Sequence, residues 1–457
     1  MLYAILFLPL LPFLAIGRQG LLGILSVASP LLSLALLPLG LHQASGPLRM
    51  DEVGAFFLAL TDLLYTLTAL FAPAYFRAHH GEAWRFFAAG SLFLFALHGA
   101  YLSYNLGFLW IFVEGSTLAS ALLVYHKGGG QALEATWKYL LLGSVGIALG
   151  LLGVILVYAL LGGKTLDWLE AKRLAAQLKP EELRLAFALL LIGFGTKVGL
   201  FPMQAWLPDA HAEAPGPAST LLSGTLLNVA FYALLRYAAL MEAAGLGTFA
   251  RGFFLAFGLA TLLASALFLF RQEEYKRHLA YSSMEHMGLA VFALGLGAPW
   301  LALFHLLAHS LAKSAAFLGA SALLARFHTP RIREVGGLVR AWPALGFAWV
   351  LALLALGGLP PFGLFFAELQ AVQLAPPGLA ALYLLGIALA FAGILPALAQ
   401  MGFGPSRDAF PSGEQAGVSP LPFPLGVVFF LLLLALLLGV FPPVEGFKTL
   451  EVTLWRL

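Results

Sequence analysis

Glu114, Lys138, Lys197, His286, His305, His309, Lys313 and Glu368 share one unusual setting: each falls inside a long run of apolar residues. An ionisable group at a bilayer centre costs about 2.5–3.5 kcal/mol on insertion scales, so it is a functional suspect by default. One Glu–Lys pair would serve as a structural ion pair. A set spread over six apolar runs points instead to a shared chemistry. His305, His309 and Lys313 are spaced four and four, which stacks them along one helix face. Imidazole accepts on one nitrogen and donates from the other, so such a column suits proton relay. Two histidines at i and i+4 also suit a metal ion. That face offers no carboxylate or further histidine, however, and the lysine below would repel a cation.

Lys197 has a second distinction, because its run breaks just beyond it. Pro202, Pro208, Pro215 and Pro217 follow within Phe194-Gly-Thr-Lys-Val-Gly-Leu-Phe-Pro-Met-Gln-Ala-Trp-Leu-Pro-Asp-Ala-His-Ala-Glu-Ala-Pro-Gly-Pro217. Proline inside a helix removes a backbone hydrogen bond, and lipid tolerates broken backbone only where protein or a wet cavity surrounds it. A lysine whose carboxylate partner moves nearer or farther gains or loses its hold on a proton. Glu114 is the candidate partner.

The elements positioning these groups are membrane spans. The 457 residues are 61% hydrophobic and 10% charged, against about a quarter charged in soluble domains. The modest formal charge of +3 calls for no nucleic-acid partner. Without cysteine, the chain has no disulfides, thiolate-held zinc or cysteine-ligated iron–sulfur clusters. No phosphate-binding loop or hydrolase elbow is present: Lys127 precedes its glycines, the wrong order. His79, His80 and Glu82 read as a solvated turn.

With roughly 20 apolar residues per span, helices are expected near 2–16, 20–41, 54–76, 85–104, 106–126, 136–162, 185–207, 217–240, 250–271, 277–297, 300–327, 343–372, 378–402 and 421–441. The expected fold class is thus an all-α polytopic membrane protein of about fourteen transmembrane helices. The first helix reads as a span and not as a cleaved leader, 163–184 as an amphipathic loop, and Pro405 to Pro424 as a linker. Basic residues gather in the loops after odd-numbered spans, which places both termini outside the cytoplasm. A second break, at Gly357-Gly-Leu-Pro-Pro-Phe-Gly363, precedes Glu368. Interrupted helices at spans seven and twelve mark two inverted five-helix repeats, spans 4–8 and 9–13. The expected units are 1–84, 85–241, 249–402 and 403–457.

With these residues in view, the sequence resembles the proton-translocating, antiporter-like membrane subunits of respiratory complex I, Mrp-type antiporters and membrane-bound hydrogenases. Three motifs carry the resemblance: Lys197 with Phe201 to Pro215, Leu279-Ala-Tyr-Ser-Ser-Met-Glu-His-Met-Gly288, and His309-Ser-Leu-Ala-Lys-Ser-Ala-Ala-Phe-Leu318. It implies that Glu114 and Lys197 exchange a proton and that Lys138 is the basic residue of span six. His305, His309 and Lys313 would form a central axis, with Glu368 at its outlet. One departure is Asn228, where many complex I members carry a second lysine; asparagine relays through water but holds no proton. Ser223-Gly-Thr-Leu-Leu-Asn228 looks closer to component F type subunits of hydrogenase-4 and formate hydrogenlyase. No region beyond span fourteen is long enough for a lateral helix of the kind the distal complex I subunit carries.

The resemblance implies a multi-pass subunit of a prokaryotic inner (plasma) membrane. Its partners would be other membrane subunits and a peripheral redox arm, with iron–sulfur, nickel–iron or flavin centres on those partners and no cofactor here. The alternatives are a sodium/proton antiporter subunit of the Mrp kind, or the proton-dissipating membrane partner of a bicarbonate-uptake complex.

Overall fold

The computed structural model describes residues 1–78, 82–405 and 424–455. His79 and His80, and most of the expected linker, lie outside the described residues. In chain order the helices are α1 (Leu2–Phe7, continued by a 3₁₀ segment Leu8–Ala15), α2 (Gln19–Gly40), α3 (Glu52–Ala78), α4 (Ala83–Leu102), α5 (Leu106–Val124), α6 (Gly130–Leu160) and α7 (Trp168–Leu174). They continue as α8 (Pro180–Val198), α9 (Trp206–Glu213), α10 (Gly216–Leu221), α11 (Leu227–Ala243), α12 (Gly247–Leu269), α13 (Tyr275–Gly295), α14 (Pro299–Phe327) and α15 (Leu338–Ala341). The last are α16 (Pro343–Leu356), α17 (Gly363–Leu374), α18 (Pro377–Phe403), α19 (Leu425–Val440) and α20 (Val444–Trp455). A hairpin of two-residue strands, Ala44–Ser45 and Leu48–Arg49, joins α2 to α3.

Among the described residues, nine helices are long and apolar enough to cross a membrane, or ten if α19 and α20, bent by 87°, count as one span. Helix α8 has 19 residues and α13 has 21, lengths that would span. They miss an apolar test because they carry the charges: Glu181, Glu182, Arg184 and Lys197 on α8; Lys276, Arg277, His278, Glu285 and His286 on α13. Lys197, Lys276, His278, Glu285 and His286 are enclosed by neighbouring helices, whereas Glu181 and Glu182 lie exposed at the start of α8.

Local chemistry sets the ends. Asn105 caps α5 by accepting from the amides of Gly107 (2.9 Å) and Phe108 (3.1 Å), the expected N-cap device. The segment expected as a loop, 163–184, contains α7, capped by Asp167 at 3.0 Å from both Leu169 and Glu170 amides, and the start of α8 at Pro180. Helix α8 ends on left-handed Gly199 (φ 87°), whose amide returns to the Gly195 and Thr196 carbonyls. The chain reforms a helix at Trp206. Helix α16 stops at a similar break, with left-handed Gly358 (φ 64°) before α17. Both breaks fall where proline chemistry put them.

Burial orders the helices in space. The window through α10 and α11 is 100% buried and that in α14 is 94%, against 28% for α18. The two central spans therefore carry Asn228, His305, His309 and Lys313, wrapped by helices that present leucine and phenylalanine outward.

Candidate functional site

Lys197 points from the last turn of α8 into α5, and its three donors are all used. The ammonium donates to the Val113 carbonyl (2.5 Å), to Ser116 Oγ (2.9 Å) and to Thr117 Oγ1, the full capacity of a lysine. Glu114 lies on the same helix, yet no direct ion pair forms between them within the salt-bridge distance. Thr117 bridges them instead: its hydroxyl accepts from Lys197 and donates to Glu114 Oε2 at 3.0 Å. Ser144 of α6 donates to the other carboxylate oxygen, also at 3.0 Å. A hydroxyl that accepts on one side and donates on the other has the hydrogen-bond pattern that a proton relay needs.

Past Lys197 the path meets a backbone irregularity. Residues Leu222–Leu226 form a π-turn between α10 and α11, a feature that frequents functional sites. The Gly224 carbonyl there accepts from Asn228 Nδ2 (2.7 Å) and from Ser310 Oγ of α14 (3.0 Å), and Asn228 also donates to Ser310 (2.9 Å). Close approach of α11 to α14 requires the glycine: a Cβ on Gly224 would lie 3.0 Å from Ser314 Oγ and from Leu64. Ser223 and Ser283 hydroxyls meet at 2.8 Å.

The histidines form one group across two helices. The His286 ring of α13 lies 5.4 Å from His305 and 5.2 Å from His309 of α14, centroid to centroid. Both nitrogens of His286 and His309, and Nε2 of His305, are buried without a hydrogen-bond partner among the described residues. Buried polar atoms are normally paired with protein or ordered water, so these five nitrogens stand out among the described residues. Lys313, one turn further, donates to the Leu279 carbonyl at 2.9 Å. Glu285 lies within electrostatic reach of both Lys313 and Glu368. Glu368 sits on α17 with its carboxylate against Gly358, so the second helix break makes its pocket.

Lys138 stands apart from this row. Its side chain is 48% exposed and pairs with Glu134 (2.7 Å) and Asp209 (3.1 Å), and Asp209 in turn pairs with Arg277 (2.7 Å). Ser144, not Lys138, is the α6 residue that meets Glu114. Lys276, read from sequence as a loop cation, is buried and donates to the carbonyls of Ala212 (3.0 Å) and Ala214 beyond the α8–α9 break. His211 is also buried there, stacked on Phe317 at 4.8 Å with both nitrogens unpartnered.

Two buried acid–base pairs escaped the sequence reading. Asp62 of α3 and His98 of α4 meet at 2.8 Å with no exposure of either. Asp51 and Arg236 of α11 form a bidentate pair at 2.7 and 2.8 Å, joined by the Tyr104 hydroxyl (2.6 Å) and the Gly54 amide (2.7 Å). Burial works to raise the Asp51 pKa; the Arg236 charge and these hydrogen bonds outweigh it and hold the carboxyl below its ordinary value. The Arg236 guanidinium also lies 4.5 Å from the Trp168 ring centre. Asp62, His98 and Arg236 each interrupt an apolar run, the same signal that exposed Lys197.

Fold and site together define a polytopic, antiporter-like membrane subunit with a buried polar axis. The chain belongs to the NADH:quinone oxidoreductase/Mrp antiporter transmembrane family, whose description matches residues 103–392. It is 38% identical over 428 residues to a Hydrogenase-4 component F homolog of Methylacidiphilum infernorum, covering 89% of this chain and 88% of that protein. A chain of respiratory complex I from Thermus thermophilus, solved with bound NADH, superposes with a TM-score of 0.83 at 25% identity, covering 100% of this chain and 99% of that one. A chain of the archaeal membrane-bound sulfane sulfur reductase shares the fold, with a TM-score of 0.84 at 23% identity over 99% of this chain and 96% of that one.

Proposed function

We propose that this chain is a proton-translocating subunit of a multi-subunit, redox-driven membrane complex of the hydrogenase-4 or complex I kind. The observation that carries the reading is the Glu114–Thr117–Lys197 relay, with Glu114 half-buried and Lys197 buried, followed by the Asn228, His286, His305, His309, Lys313 and Glu368 row. Electron transfer in partner subunits moves Glu114 relative to Lys197; the lysine releases its proton toward the axis, and Glu368 passes it out. Lys138, with Asp209 and Arg277, sits at the mouth of the first half. The chain itself binds no cofactor; iron–sulfur, nickel–iron or flavin centres belong to the partners. The relationship to a Hydrogenase-4 component F homolog supports this assignment.

In this reading the short first helix, α8 with α9, α13, α16 with α17, and α19 each count as a span, which raises the total to about fourteen. Units 85–241 and 249–402 are inverted repeats, supported by the corresponding breaks after Val198 and Leu356. The chain lies in a prokaryotic plasma membrane with both termini outside the cytoplasm.

Affinity purification with identification of the partners tests the assignment. Hydrogenase- or dehydrogenase-type redox subunits are expected to co-purify. Sodium-dependent pH changes in vesicles holding this chain alone would overturn it in favour of an antiporter. Co-purification with a bicarbonate-uptake partner would overturn it equally.

A further inference from the structure

The Asp62–His98 pair lies outside the row described above, and its hydrogen bonds fix its proton count. His98 Nδ1 faces the Ile5 carbonyl at 2.9 Å, and Nε2 faces Asp62 Oδ1 at 2.8 Å. A carbonyl accepts only, so Nδ1 must carry hydrogen. The second contact then needs a further proton between Nε2 and Oδ1; without it, two lone pairs would face each other in a site with no solvent exposure. The closed pair therefore holds one transferable proton, as imidazolium–carboxylate or as imidazole–carboxylic acid. Asp62 is the one charged group acting on His98 among the described residues.

The surroundings supply a way for that proton to move. Asp62 Oδ2 is buried without a partner among the described residues, as are the hydroxyls of Ser29 and Ser33 on α2; Tyr65 on α3 and Ser91 on α4 add two further buried hydroxyls. Tyr65 sits between Ser91 and Ser26, and a Cβ on Gly90 would fall 2.8 Å from its hydroxyl, so the glycine admits it. Asp62 Oδ2 and the Ser29 and Ser33 hydroxyls, without protein partners among the described residues, depart from the usual pairing of buried groups. A groove of about 910 Å³ lies between the same helices, walled by Val27, Leu31, Ala69 and Pro73 with Arg77 and Glu82 at its rim.

We propose that Asp62–His98 is a second proton-holding site, filled and emptied through the Tyr65, Ser91 and α2 serine hydroxyls. In loading, a proton arrives by hydroxyl hops at Asp62 and settles between Oδ1 and Nε2, while Nδ1–H stays on Ile5. Unloading reverses the hops and leaves neutral imidazole and a carboxylate. This rests on the reading that the chain moves protons, and two measurements on the purified, assembled complex separate the claims.

Infrared difference spectra after a pH jump, with no turnover required, should show a carboxyl or imidazole signal that Asp62→Asn abolishes and Asp62→Glu restores in shifted form. In reconstituted vesicles Asp62→Asn should lower protons moved per electron pair while electron transfer persists, and Tyr65→Phe should slow translocation severalfold. An infrared signal that persists unaltered in Asp62→Asn, or an unchanged proton ratio in assembled Asp62→Asn complex, overturns the site and leaves the Lys197 route standing. Absence of pumping by the wild-type complex overturns that route, while the infrared signal still decides whether Asp62–His98 binds a proton.

Discussion

Glu114 and Lys197 do not touch: the Thr117 hydroxyl stands between them, accepting from the ammonium and donating to the carboxylate at 3.0 Å. A direct ion pair would hold both charges against each other. An intervening hydroxyl couples them without direct contact, and in the proposed mechanism a small motion of α5 against α8 decides where the proton rests. Thr117→Val keeps the side-chain shape and removes the relay. It leaves Lys197 one acceptor short, a loss of about 1–3 kcal/mol, which corresponds to a slowing of translocation of roughly 5- to 150-fold. Thr117→Ser should restore most of the rate in a vesicle proton-uptake assay. Equal rates in Thr117→Val and wild type would remove the hydroxyl from the path.

The histidine group makes the opposite stability prediction. His286 and His309 are enclosed yet hydrogen-bonded to nothing among the described residues, so replacing either with leucine removes an unsatisfied polar group. His309→Leu should abolish translocation while leaving the melting temperature of the complex unchanged or higher. A variant that unfolds instead would assign His309 a structural role.

At Asp51–Arg236 the reverse holds. Removing one partner strands the other charge in a buried site, at a cost of about 3–5 kcal/mol. Asp51→Asn and Arg236→Leu should each lower the melting temperature or the yield of assembled complex, and the double variant should lose less than the sum of the two. Additive losses would show that the pair is not coupled.

Lys172, on α7 outside the spans, ties down the C-terminal helix by donating to the carbonyls of Leu454 (2.8 Å) and Trp455 (3.2 Å). Burial foremost, with the Arg236 charge adding and Asp51 opposing, pushes its pKa down to about 8. Between that value and lysine's ordinary one, the undocked state binds more protons than the docked state, so raising the pH favours docking. The neutral amine still has donors for both carbonyls. Protease cleavage at α20 should therefore slow between pH 8 and pH 10, and Lys172→Met should flatten that dependence. Faster cleavage with rising pH would contradict this.

Much of the site was visible in the sequence because charge inside an apolar run is costly and few forces put it there. Lys197, Glu114 and the His305–His309–Lys313 column stand out on that ground, and both helix breaks by their prolines and glycines. Thr117 did not, since a threonine in a helix is ordinary until a lysine from another helix meets it. The π-turn at Leu222–Leu226 is a backbone event with no residue signature. Lys138 falls within the candidate span Gly130–Leu160, yet its side chain is half exposed and meets Glu134 and Asp209, partners that the apolar pattern does not show. Asp62, His98 and Arg236 carried the same cost signal as Lys197. Their partners lie on distant segments, so only the folded chain shows that each charge is paired.

We propose that Lys197, loaded through Thr117 by Glu114, drives a proton across the membrane. Proton uptake by vesicles holding the assembled complex, measured with electron transfer running, tests it most directly. Lys197→Ala and Glu114→Ala should each abolish proton translocation while the complex remains assembled. Wild-type proton translocation by both variants would contradict the account.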